Sequence, residues 1–235
     1  MNDRPLTDIK LTLTVAGADA HILAVSDGFE LSCDAAGCDS NCCTRSAPVI
    51  LNPYEIALIC RQSSLSYEDL LDIVETDRAN GFPLVMLPRD PSCHFWTGKG
   101  CGIYEARPLA CRLYPLGRVY DNGQSSIVLP ELNVCPGMSL KPAKTVGEYL
   151  RMQNTDFHVR MADHWIAFVN EMEQLKLPDK AVTSVAFHML VYSPDTPPAP
   201  DAVDIPDTIE DSFLLRLESA RKQLPRFLKL APDLG

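Results

Sequence analysis

Basic side chains are scarce in this sequence: 21 lysines and arginines stand against 31 aspartates and glutamates, a formal charge of −10. Nonspecific grip on nucleic acid or on an anionic membrane surface draws on clustered Lys and Arg, so neither partner is expected. No stretch reaches the roughly 18 apolar residues of a membrane helix. The N-terminus, MNDRPLTDIKLTLTVAGADAHILAV, mixes charges and lacks the apolar centre of a secretory signal. The chain therefore reads as cytoplasmic, a compartment that keeps thiols reduced. Nucleotide and hydrolase signatures are also missing: there is no glycine-rich phosphate loop and no nucleophile elbow. His158 and His164 fall six apart and cannot form the i, i+4 pair of a metalloprotease helix. His21 and His188 have no recognisable partners, and His94 reads as a loop histidine beside Cys93.

What the chain does have is cysteine, nine in all. Eight fall into two compact groups: Cys33, Cys38, Cys42 and Cys43 in SCDAAGCDSNCC, then Cys93, Cys101, Cys111 and Cys135 in CHFWTGKGCGIYEARPLACRLYP and the later VCPG. In a reducing compartment such crowding favours metal ligation over disulfides, and the odd total argues the same way. Thiolates are soft anionic ligands that suit zinc or an iron–sulfur cluster and do not suit magnesium or calcium. Four thiolates around one Zn²⁺ leave a net charge of about −2. Arg45, Lys99, Arg107 and Arg112 lie beside the ligands to offset it, and the amides of Gly37, Gly98, Gly100 and Gly102 could donate to sulfur. Cys42 and Cys43 are adjacent, and neighbouring side chains diverge along an extended chain. They either serve two centres, or one ligates while the other packs or reacts. The use of the metal stays open between a zinc that staples loops and a redox-active cluster. Cys60, in the apolar run IALIC, reads as a small buried hydrophobe. Glu105 with Arg107 or Arg112 reads as an ion pair ordering the loop, or else the arginines form an anion pocket.

Composition is that of a globular protein, 46% hydrophobic and 22% charged, and 235 residues suffice for a core. The expected class is α+β: mostly α-helical, with minor β structure and a loop-rich centre organised by metal. Ile9, Leu11, Leu13 and Val15, then His21, Leu23 and Val25, alternate as a hairpin around Gly17-Ala18-Asp19. Asn52 caps a helix with Pro53 first and Glu55 third. Ser66 opens a second helix that runs to Gly81. Residues 83 to 137 carry little periodicity beyond a strand at 124–129 after the turn Asp121-Asn122-Gly123. Thr145 caps a long helix whose apolar side holds Tyr149, Met152, Phe157, Met161, Trp165, Phe168 and Met172. Another helix is expected over 179–192, and a terminal amphipathic helix is broken at Pro225. The organisation expected is a cysteine-rich domain over 1–140, a helical extension packed on it over 141–192, a proline-rich linker over 193–207 and the terminal helix over 208–235.

SCDAAGCDSNCC, LNPYEIALI, CGIYEARPLACRLYP and the final CPG together resemble the YkgJ-like cysteine-cluster family of zinc- or iron-chelating proteins, over about residues 30 to 140. The stretch Cys101 to Pro115 is the specific part. The family's first group reads C-x-x-C-x-x-C-C, and the gaps here are wider. The resemblance implies that all eight grouped cysteines are metal ligands and that Cys60 is not. A related region occurs in flagellin lysine-N-methylases, which methylate lysines with S-adenosylmethionine. The resemblance thus also admits a protein-modifying or redox enzyme, or a metal-carrying or sensing module, acting on a protein partner or substrate.

Overall fold

The computed structural model describes residues 12–15, 18–33, 42–44, 48–79, 82–121, 124–130, 135, 137–140, 144–175, 181–198 and 206–230. In chain order the strands are β1 (Thr12–Val15), β2 (Ala18–Leu23), β3 (Glu30–Leu31) and β4 (Val49–Leu51). Helices α1 (Pro53–Ser63) and α2 (Tyr67–Leu71) follow, then β5 (Glu75–Ala79) and β6 (Phe82–Leu87). Next come α3 (Leu109–Leu113), β7 (Gly117–Asp121), β8 (Gln124–Pro130) and β9 (Met138–Ser139). The chain closes with α4 (Val146–Met152), α5 (Thr155–Gln174), α6 (Ala181–Phe187), a π-helical turn His188–Tyr192 and α7 (Ile209–Leu230). The class is α+β, as expected. Among the described residues no helix is long and apolar enough to cross a membrane.

Two compact units divide these elements. The first comprises residues 1–42, 98–100 and 109–156. It holds a four-stranded antiparallel sheet in the order β1-β2-β8-β7 and a two-stranded ladder of β3 with β9. Leu23, Phe29, Leu116, Leu129, Val146 and Tyr149 form its core, with the Phe29 and Tyr149 rings edge to face at 4.8 Å. The expected N-terminal hairpin is β1 with β2, but Ala18 and Asp19 belong to β2, since Val15 pairs with Ala18. The expected strand at 124–129 is β8, paired with β7 from Asp121 opposite Gln124; the turn residues Asn122 and Gly123 lie outside the described residues.

The second unit comprises residues 43–97, 101–108 and 157–235. Its sheet is β4-β6-β5, all antiparallel. Around it pack Phe82, Phe187, Trp165, Phe168 and Tyr192 in successive ring contacts, and α1 packs on α7. The caps read from sequence are present: Asn52, Ser66 and Thr145 each accept a bond from the third helical amide and receive a carboxylate in return.

Three expectations about helices fail, two through non-local packing and one through a local backbone turn. The helix after Ser66 stops at Leu71, and Glu75–Ala79 pairs with β6 instead. Asn80-Gly81, between the paired Ala79 and Phe82, is the residue pair hairpins favour, a signal read as a helix stop. The helix after Thr145 is two helices, because Asn154 adopts φ 52°, a left-handed conformation asparagine tolerates. Met152 and Phe157 consequently leave the buried side that Tyr149, Met161, Phe168 and Met172 occupy. The last helix continues through Pro225, whose missing amide costs a bond, because Leu217, Ala220 and Leu224 anchor it in the core. The 83–137 stretch is also more regular than its texture suggests, since β6, β7 and β8 take their order from partner strands.

Candidate metal centre

In the first unit, Cys33 directly follows β3 and Cys135 lies just before β9. The ladder pairs Glu30 with Ser139 and Leu31 with Met138, and Ser32 N–H extends it by donating to the Gly137 carbonyl at 3.0 Å. Met138 N–H donates to the Cys135 carbonyl at 3.0 Å, turning the chain back beside that end. One cysteine of the first group and one of the second thus stand at the same end of a short ladder. Gly137 is required there: a Cβ would collide with the backbone carbonyl of Ser32, which cannot yield without separating the strands.

Cys111 sits in the middle of α3, a helix of five residues that needs outside support. The buried Tyr149 hydroxyl lies over the carbonyls that end it, 2.7 Å from Tyr114, 3.2 Å from Arg112 and 3.5 Å from Leu113. Arg112, 4% exposed, donates to the Gln153 carbonyl at 3.0 Å. Arg112, next to Cys111 on α3, is therefore held through both its backbone carbonyl and its side chain.

Cys42 and Cys43 lie in a 3-10 turn, Cys42–Thr44, and the chain passes between units at the peptide joining them. In the second unit Cys93 N–H donates to the Cys43 carbonyl at 2.7 Å. Trp96 N–H returns to the Cys93 carbonyl at 2.9 Å, Trp96 bridges to Cys101, and Gly102 N–H reaches the Phe95 carbonyl at 2.8 Å. These bonds close the 93–101 loop and set it against Cys43. Gly102 spends its amide on a carbonyl, where the sequence suggested a bond to sulfur. His94 is exposed and packs edge to face on Phe95. Arg107 lies 3.6 Å over the Tyr104 ring and donates through Nε to the Tyr104 carbonyl, so it orders its own turn.

Cys38, with Gly37 and Arg45, lies outside the described residues. None of the other eight cysteines forms a disulfide. Their chemistry fits a thiophilic ion. Among the described residues, however, no three His, Cys, Asp or Glu side chains already surround a common point. The backbone sets Cys33 near Cys135 and Cys43 near the Cys93 loop, in pairs rather than in a group of three. Cys60 is buried on α1, and burial, then the charge of Asp195, pushes its thiol up to about 11. Gly137 and Tyr149 were missed as supports by reading the sequence; only the glycine following Cys135-Pro136 carried a signal.

An α+β protein rich in reduced cysteines is the class that this fold and these thiols define. Residues 32–135 match the CxxCxxCC family, described as a putative zinc- or iron-chelating domain. The match opens one residue before Cys33, ends on Cys135 and spans all eight grouped cysteines. No curated protein and no solved structure matches the chain.

Proposed function

We propose that the chain chelates zinc or an iron–sulfur cluster through Cys33, Cys38, Cys42, Cys43, Cys93, Cys101, Cys111 and Cys135. One observation carries this reading: twice, once within each unit, the fold sets a cysteine of the first group beside one of the second. Cys33 meets Cys135 at the ladder end, and Cys43 meets the Cys93 loop through a direct backbone bond. Crowded, reduced thiols on short loops suit an ion that completes their folding, and binding would release the thiol protons. A reducing compartment such as the cytoplasm suits this chemistry.

Metal and acid-labile sulfide analysis of anaerobically purified protein tests it. Bound zinc gives a colourless protein that dithionite does not change; a cluster gives absorbance near about 400 nm that bleaches on reduction. Cys101→Ser and Cys111→Ser are expected to lower metal content, while Cys60→Ser keeps it. Finding neither metal nor sulfide after reconstitution sinks the proposal, and equal loss in all three variants shows the ligand set is wrong.

A further inference from the structure

A cavity of about 330 Å³ opens in the second unit between α1, α7 and the segment after the π-helical turn. That volume suits a small organic ligand. Arg216 lines it from α7, and is only 5% exposed. Its guanidinium donates to the Thr196 hydroxyl at 3.0 Å and carbonyl at 2.6 Å, both neutral acceptors. Among the described residues it makes no ion pair, although a guanidinium carries five N–H donors. Burying a cation without a carboxylate in contact is costly, and burial pushes the Arg216 guanidinium down to about 10, against the opposing pull of the Asp195 charge.

From α1, Arg61 lines the cavity as well; it is exposed, and its side chain makes no hydrogen bond or ion pair among the described residues. Ala57 and Tyr192 add apolar wall beside it. Two arginines, one of them buried with no carboxylate in contact, thus line a cavity that has apolar surface. Asp195 and Asp207 line it as well, and they disfavour a multiply charged guest such as phosphate.

We propose that this cavity binds a small organic monocarboxylate, its carboxylate held by Arg216 and Arg61 and its apolar body against Ala57 and Tyr192. A planar fork of donors matches a carboxylate, and the guest supplies the direct contact that Asp195, acting on the buried arginine only through its charge, does not. None of the eight cysteines proposed as metal ligands lines the cavity, so this reading and the metal reading stand or fall separately.

Calorimetric titration of the full-length protein tests it, with hexanoate as the probe and hexanamide and inorganic phosphate as controls. Hexanoate is expected to bind with a Kd of about 1 mM, in keeping with its size. Hexanamide and phosphate should bind at least about tenfold more weakly, because one lacks the charge and the other carries too much. Arg61→Ala, on an exposed helix position, should weaken hexanoate about fivefold, and Ala57→Phe should abolish binding by filling the space. Arg216→Gln should abolish it too, but a loss there also follows from misfolding, so the two α1 variants decide. No heat from hexanoate at about 20 mM, roughly twentyfold above the expected Kd, overturns the proposal. So does hexanamide or phosphate binding equally well, or unchanged affinity in Arg61→Ala or Ala57→Phe.

Discussion

Among the described residues between Cys93 and Ser139 the only α-helix has five residues and the last strand has two, whereas α1, α5 and α7 run for 11, 20 and 22 residues. The long helices are held by large side chains at almost no exposure, among them Ile56, Ile59, Phe168, Leu217 and Leu224. Burying each such side chain contributes roughly 1.5–3 kcal/mol before entropy is counted. The cysteine-bearing segment buries Leu113, Leu116 and Leu129 too, but its short elements also lean on single backbone bonds, one close approach at Gly137 and the Tyr149 hydroxyl. Packing along long helices stabilises the one region, while the other adds to its buried leucines a few specific contacts that an ion would reinforce.

The sharpest way to break that comparison is Gly137→Ala. Its Cβ meets backbone, so the β3–β9 ladder must part, at a cost of about 3 kcal/mol in urea unfolding and with reduced metal content. Gly100→Ala, with nothing within contact of the new methyl and no positive φ, should change stability by less than about 0.5 kcal/mol. Equal responses would show that the ladder does not hold the cysteines.

A smaller effect belongs to the packed body. The Cys60 thiol ionises near 9 when unfolded and near about 11 when folded, so the folded state keeps its proton where the unfolded state has lost it. Stability from this group is complete below pH about 9 and falls as pH rises toward 11, by roughly 2 kcal/mol. Urea unfolding across that window should show the loss, and Cys60→Ala should remove its share of the slope. An unchanged slope would mean that the body does not enclose the thiol.

Smallest is a matched pair of hydroxyl deletions. Tyr149→Phe frees the carbonyls ending α3, and Tyr192→Phe frees the Pro83 carbonyl, each costing about 1 kcal/mol. Only Tyr149→Phe should also lower metal content, because α3 carries Cys111 whereas β6, which holds Pro83, carries no cysteine. Loss of metal in both variants would erase the distinction between the two regions.

Helix starts were legible because their chemistry is local: Asn52, Ser66 and Thr145 each find a partner three residues on. The hairpin of β1 and β2 was legible for the same reason, through alternation across a short turn. The strand β5 was not, since Glu75–Ala79 has little strand character of its own and takes its conformation from β6. Pro225 misled similarly, because buried leucines on both earlier turns outweigh one missing hydrogen bond.

The sequence by itself determined the chemistry: soft thiols in two clusters, no charge or signature for nucleic acid, membrane or nucleotide, and one cysteine set apart in an apolar run. Only the tertiary structure decided which cysteines are neighbours, where Tyr149 and Gly137 act, and that the buried Arg216 lines a cavity with no carboxylate in contact with it. The reason is physical. Ligand type and capping are properties of a few adjacent residues, while the meeting of Cys33 with Cys135 rests on pairing two strands far apart in the chain, and no local preference encodes that.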